Sequence, residues 1–262
     1  MFDRFLSFLA LIKLSVNRAC YNLLSSYLPP QLFLNSFVNN KRFAPKKEEM
    51  RKILIPHLTA MRRCVDVGGN NGSLAIFFHQ MGFKSVECFE PNVSLTKNIK
   101  RLGLPNLTVH DLGLSDRVGG TIMYVPKKFG VSYFGLGSLH NKFTSSNSFE
   151  VNVVTLDSFG FNDVDLLKID VEGWELMVLQ GATKTIKNCK PVILIEVEER
   201  HAGLDPSIIL TMIESFGYGV HSLGPKPGLN KELKTGQKGV CDTEFIMPRN
   251  KAHATNFLCT PL

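Results

Sequence analysis

The chain has 262 residues, 44% of them hydrophobic and 20% charged, with a formal net charge of +7. That length supports one α/β domain with a sizeable core and excludes two comfortable domains, and the composition is that of an ordinary globular protein. The charge is uneven: residues 1–60 hold nine Lys/Arg against three Asp/Glu, and residues 61–218 hold fifteen against seventeen. A nucleic-acid enzyme carries its basic residues around the active site more often than on a flank, which makes a nucleic-acid partner the weaker expectation.

In chain order, Phe5 to Val16 is apolar but interrupted by Lys13. It is shorter than the roughly 20 residues of a membrane span. An amphipathic helix fits, either packed on the domain or a partner, or lying on an anionic membrane surface through residues 1–20. Residues 1–60 are therefore taken as an N-terminal helical extension and residues 61–262 as the main domain. Pro29-Pro30 and Asn39-Asn40 lead toward a helix at about 47–60.

From Cys64 onward, strands and helices alternate. The pattern predicts a strand at Cys64–Val67, a helix at Ser73–Met81, a strand at Val86–Glu90, a helix at Val93–Leu102 and a strand at Leu107–His110. Strand–helix alternation at this spacing specifies a mostly parallel sheet with helices on both faces. Short strands are expected at Thr121–Val125 and Val151–Val154, flanking a polar Gly/Ser-rich stretch. The alternation resumes with a strand at Asp165–Asp170, a helix at Trp174–Ile186, a strand at Val192–Val197 and a helix at Pro206–Phe216. Strands near 218–222, 243–247 and 256–259 end the chain. The six cysteines form no CxxC pair and no zinc spacing, and reduced thiols in a cytoplasmic protein are the expectation.

The first Gly-rich turn carries the first chemistry. Asp66-x-Gly68-x-Asn70-x-Gly72 ends one strand and opens a helix, where doubly wound sheets bind ligands. A dinucleotide site calls for GxGxxG to hold a pyrophosphate on the helix N-terminus. This turn lacks that spacing and has an acid two residues before its first glycine. It suits S-adenosylmethionine, which has an amino-acid group, a sulfonium and a ribose but no phosphate. Glu90, at the end of the second strand, is placed to accept both ribose hydroxyls. Asp111 and Leu112, after the third strand, are candidates for the adenine amino group and ring face, and His110 reads as a structural histidine.

Five segments, VDVGGNNGSLA, CFEP, LGLSD, VTLDSF and LLKIDVEGWELMVLQGA, occur in this order between Cys64 and Glu199. Together they resemble the FkbM family of methyltransferases. The resemblance implies a Rossmann-like class I methyltransferase fold, a seven-stranded sheet with one final antiparallel strand. It also implies methyl transfer from S-adenosylmethionine, commonly to a hydroxyl of a sugar, polyketide or similar small molecule. Asp66, Gly68 and Gly72 carry over as cofactor-loop residues, Glu90 as the ribose ligand, and Asp111 as a position where the family often has Asn. Where the family often has Ala-Asn, this chain has Gly69-Asn70.

Asp170 and Glu172 bracket the end of the next strand. Two nearby carboxylates would offset a sulfonium charge and orient an acceptor hydroxyl, and one would act as general base if its pKa is raised. The alternative is that Glu172 and Glu175 cap the following helix. Glu196 is a further crevice candidate. Asp170 and Glu196 would suit Mg²⁺ with waters, yet no ligand spacing calls for a metal. Phe134–Phe143 is expected to wall the acceptor side, with Ser138 as a contact and His140 as a candidate base. No Asn-Pro-Pro-Tyr-type segment is present to hold a planar base amine. The main expectation is thus O-methylation of a glycan or small molecule. RNA or protein methylation through the basic flanks, and a non-catalytic binding module, are the alternatives.

Overall fold

The computed structural model describes residues 44–128, 131–132, 137–139, 146–198, 205–223 and 254–262. The N-terminal amphipathic segment, the expected strand at 243–247 and His140 lie outside these residues. The described elements run α1 (Ala44–Leu54), β1 (Arg63–Val67), α2 (Ser73–Met81), β2 (Ser85–Phe89), α3 (Val93–Lys100) and β3 (Leu107–His110). They continue with β4 (Gly113–Leu114), β5 (Gly119–Lys128), β6 (Val131–Ser132), β7 (Ser146–Val154) and β8 (Val164–Ile169). The last are α4 (Glu175–Gly181), α5 (Thr183–Cys189), β9 (Val192–Glu198), α6 (Pro206–Ser215), β10 (Tyr218–Ser222) and β11 (Ala254–Pro261).

The main sheet has seven strands in the order β10-β11-β9-β8-β1-β2-β3. Strands β3, β2, β1, β8 and β9 are mutually parallel, while β11 runs antiparallel to both β9 and β10. This is the expected class I methyltransferase sheet. Strand β8 lies at its centre and all six of its residues are buried, as a central parallel strand covered on both faces requires. One face of the sheet packs Val65, Val67, Leu167, Ile169 and Ile195 against Val178, Leu179 and Ile186 of α4 and α5 and Ile209 and Ile213 of α6. The other packs Cys64, Cys88, Leu166 and Leu194 against Phe77 and Phe78 of α2. Cys64 and Cys88 are free thiols in this core, acting as small hydrophobes. Among the described residues no helix is long and apolar enough to cross a membrane.

Strand β1 begins at Arg63, and α2 and β3 occupy the bounds read from the sequence. Other elements differ: α1 ends at Leu54 rather than near 60, β11 runs Ala254–Pro261 rather than 256–259, β4 and β6 are additional short strands, and three further differences have a visible cause. Strands β5 and β7 are longer than their apolar cores because they pair with each other, from Gly119↔Val153 to Pro126↔Ser146. With β4 and β6 they form a second, four-stranded sheet. The helix expected at Trp174–Ile186 is two helices broken at Ala182. The Asp157 carboxylate accepts the backbone N–H groups of Lys184 and Thr185 at 2.9 and 2.8 Å. Satisfying these donors from outside starts a new helix there.

Gly181, the last residue of α4, lies against the β4 exit. A Cβ at this position would stand 1.9 Å from the Ser115 carbonyl oxygen. Helix propensity favours alanine over glycine by about 1 kcal/mol, so the two effects oppose each other. Overpacking wins, because backbone cannot yield as a flexible side chain can. Gly181→Ala is expected to lower stability by about 1–3 kcal/mol, measured by chemical unfolding; a gain would show that β4 yields.

Candidate functional site

The C-terminal ends of β1, β2 and β8 lie side by side, and the chain leaves each through a turn that faces the others. Gly68 and Gly69, after β1, both donate their N–H groups to the Phe89 carbonyl at the end of β2, at 2.9 and 3.0 Å. Asp170, after β8, donates its N–H to the Val67 carbonyl at 3.1 Å. Gly68 has φ +75°, and a Cβ there would fall 1.9 Å from the Asp170 carbonyl oxygen. Only glycine combines that backbone with that approach. Gly72 donates to the Gly69 carbonyl at 2.8 Å, closes the turn and starts α2. Asn70 is left-handed at φ 52°, a conformation asparagine tolerates.

Glu90 stands at the centre of this group. One carboxylate oxygen accepts the Asn70 N–H at 2.8 Å and the other accepts the Asn92 N–H at 2.9 Å. The side chain is buried. Burial pushes its pKa up to about 7, although the two amide bonds and the Lys168 ammonium favour the charged form. Each oxygen keeps a further lone pair, so the held carboxylate still accepts other donors. The strand-end position that singled out Glu90 thus corresponds to a physical link: the second-strand acid orders the first-strand loop.

Asp66 reaches the same place but not the crevice surface. It is fully buried, and the Lys168 Nζ lies 2.9 Å from its Oδ1. Lys168 also donates to the Val67 and Gly68 carbonyls at 3.1 and 2.9 Å. Burial opposes the ammonium, but Asp66 and Asp170 outweigh it and hold its pKa above the usual lysine value. The sequence reading missed Lys168. Its signal was available: a lysine inside the otherwise apolar core of β8, opposite an aspartate in the equally apolar β1.

Asp111 lies beyond β3, where its two oxygens accept Thr96 Oγ1 and, at 2.6 Å, Lys100 Nζ, both from α3. Burial opposes its charge, yet these two donors prevail and hold its carboxyl below the usual range. Leu112 follows, half-buried against the α4–α6 side of the core. His110 stacks on Phe89 with ring centroids 4.3 Å apart, and its Nε2 lies 2.8 Å from the Glu87 carboxylate. These contacts hold the ring against β2.

The Asp170–Gly173 turn is strained. Glu172 has φ 56°, and a non-glycine side chain in that region costs about 1–3 kcal/mol and persists only where its surroundings impose it. Here they do. Buried Ser138, which exchanges both backbone hydrogen bonds with Tyr124 of β5, donates its hydroxyl to the Glu172 carbonyl at 2.8 Å. On the other side, the Gly173 N–H donates to buried Glu175 at 2.9 Å. Burial raises the Glu175 pKa to about 6, and Asp170 and Glu172 add to the shift. Glu175 therefore secures the turn, while Asp170 and Glu172 stand half-buried at the rim. Ser138, expected as an acceptor contact, braces the acidic turn. Glu196 is half-buried on β9, opposite Asn256 of β11.

The strand order and the three convergent turns define a class I methyltransferase fold. The methyltransferase FkbM domain matches residues 66–220, and the chain belongs to that family. Similar solved structures include a methyltransferase FkbM from Methylobacillus flagellatus KT, with 16% identity and a TM-score of 0.49 over 76% of this chain. This chain spans 43% of that protein's length. A precorrin-6y C5,15-methyltransferase from Geobacter metallireducens GS-15 has 13% identity and a TM-score of 0.43, covering 81% of this chain and 88% of that one. An rRNA methylase from Streptococcus thermophilus has 13% identity and a TM-score of 0.45, covering 83% and 96%. No curated protein matches the chain.

Glu90 and Glu175 make stability depend on pH with a definite sign. Both pKa values are raised above the unfolded value near 4.5, to about 7 and about 6. Their contribution is present below the unfolded pKa and is lost as pH rises through the folded values. Urea unfolding between pH 5 and pH 8 is expected to show stability falling with rising pH. Glu90→Ala is expected to flatten that slope by about 1–3 kcal/mol over the range.

Proposed function

We propose that this chain is an S-adenosylmethionine-dependent O-methyltransferase acting on a hydroxyl of a glycan or small molecule. The observation that carries the reading is Glu90, a carboxylate buried beside a glycine loop and held by two backbone N–H groups. Its remaining lone pairs suit a vicinal diol, the one strongly hydrogen-bonding feature of a ribose. The donor set fits the cofactor as well in what it lacks, since the loop has no GxGxxG spacing for a pyrophosphate. Gly68, Asn70 and Gly72 would line the donor side, with Asp66 acting from beneath them. Asp111, fixed by Lys100 and Thr96, keeps lone pairs for an adenine amino group, and Leu112 offers an apolar face to the ring.

The cofactor supplies a methyl group already activated by a sulfonium charge. The protein's part is then chiefly positioning, which is worth several kcal/mol when the geometry is right. Asp170 and Glu172 stand on the turn closest to the donor loop. They would orient the acceptor hydroxyl and take up its proton, with His140 as a further candidate base. The strained, doubly braced turn supports this role, because a fixed backbone presents both side chains from a defined position.

Calorimetric titration is expected to show S-adenosylmethionine binding, weakened at least about tenfold by Glu90→Ala through loss of charged hydrogen bonds. Unchanged affinity in that variant would remove Glu90 from the site. With an acceptor found by screening sugars and metabolites against labelled cofactor, Asp170→Asn is expected to slow transfer about 100-fold. Cofactor affinity in Asp170→Asn should stay within a few-fold of wild type. The basic N-terminal region favours RNA as a second acceptor class; labelling of RNA in place of the small molecules, with steep salt dependence, would replace the glycan reading.

A further inference from the structure

We infer that Lys168 is a positioning residue that couples the cofactor loop to the acidic turn, setting the geometry of donor and acceptor sides together. The inference rests on the donor-binding reading of the same crevice. An ammonium has three N–H donors, and this one faces three oxygens: Asp66 Oδ1, the Val67 carbonyl and the Gly68 carbonyl. None of the three belongs to its own strand. Lys168 is on β8, in register with Asp66 on β1, so its side chain reaches sideways under the glycine loop. Two residues farther on, just past the end of β8, Asp170 returns the tie by donating its N–H to the same Val67 carbonyl. The Asp170 carbonyl in turn lies against Gly68 so closely that no side chain fits between them.

An aliphatic side chain would fill this core position without the cost of burying a charge, and buried ion pairs replaced by apolar residues are often neutral or better for stability. Stability therefore does not explain a lysine here. Lysine supplies directed donors that turn two loop carbonyls inward, and Asp66 neutralises it. With those carbonyls held on Nζ and the Gly68 and Gly69 N–H groups held on the Phe89 carbonyl, the first turn of the loop is fixed from both sides. Asp66 thereby acquires a role different from a direct ligand: it is fully buried and holds the lysine that holds the loop.

The test uses the full chain with Lys168→Met and with the paired change Asp66→Asn/Lys168→Met. The single change leaves Asp66 buried without its cation and is expected to lower Tm sharply; the pair removes both charges and is expected to recover much of that loss. Two further readouts separate positioning from stability. Amide hydrogen exchange at Gly68 and Gly69, both bonded to the Phe89 carbonyl, is expected to accelerate in the paired variant without any ligand. Calorimetric affinity for S-adenosylmethionine is expected to stay about tenfold or more below wild type, despite the recovered Tm. Wild-type exchange at Gly68 and Gly69 together with wild-type affinity in the paired variant would overturn the inference. If wild type itself does not bind S-adenosylmethionine, the functional reading falls, and exchange alone decides: faster exchange upholds the role of Lys168, and unchanged exchange ends it.

Discussion

A lysine ammonium buried on a central strand is a demanding group for this fold to hold. Removing such a charge from water costs several kcal/mol even after relaxation, and only close partners offset it. Lys168 finds them in the Asp66 carboxylate and in two carbonyls of the turn after β1. The consequence is geometric: β1 and β8 end at the same level, and the turns that leave them are tied together where a ligand would enter. Parallel strands place their carboxyl ends side by side; here charge pairing adds a fixed relation between two of those ends.

The third strand end joins through Glu90. Its carboxylate accepts one amide from the first turn and one from the start of its own turn, so the acid expected to meet ribose also orders the loop beside it. On the far side, Ser138, bridged to Tyr124 of β5 in the small sheet, clasps the carbonyl of Glu172. The acidic turn is thus held from both sides, by the main sheet through Asp170 and by the second sheet through Ser138. This arrangement explains how a glutamate stays in the left-handed region at φ 56°.

Much of this was legible in the sequence because it depends on local pattern. The apolar runs around Cys64–Val67 and Val164–Ile169, separated by helical periodicity, specify a parallel sheet, and Asp66, Glu90 and Asp170 each mark a strand end. What was not legible depends on contacts between distant segments. The lengths of β5 and β7 come from pairing with each other, not from their own residues. The break at Ala182 is imposed by Asp157, 25 residues away in the chain. Lys168 reads as an ordinary polar residue until its register opposite Asp66 is known; two opposite charges in two buried runs are the signal that pairs them. Glu175, similarly, reads as a helix-capping residue, and its burial beneath the acidic turn emerges only from packing.

The most direct test of the account is a crystal structure of the full chain with S-adenosylhomocysteine, the product of methyl donation. The account requires the ribose hydroxyls to lie within hydrogen-bond distance of the Glu90 carboxylate, with the sulfur end toward Asp170. A ligand bound elsewhere, or one whose ribose does not touch Glu90, would contradict it.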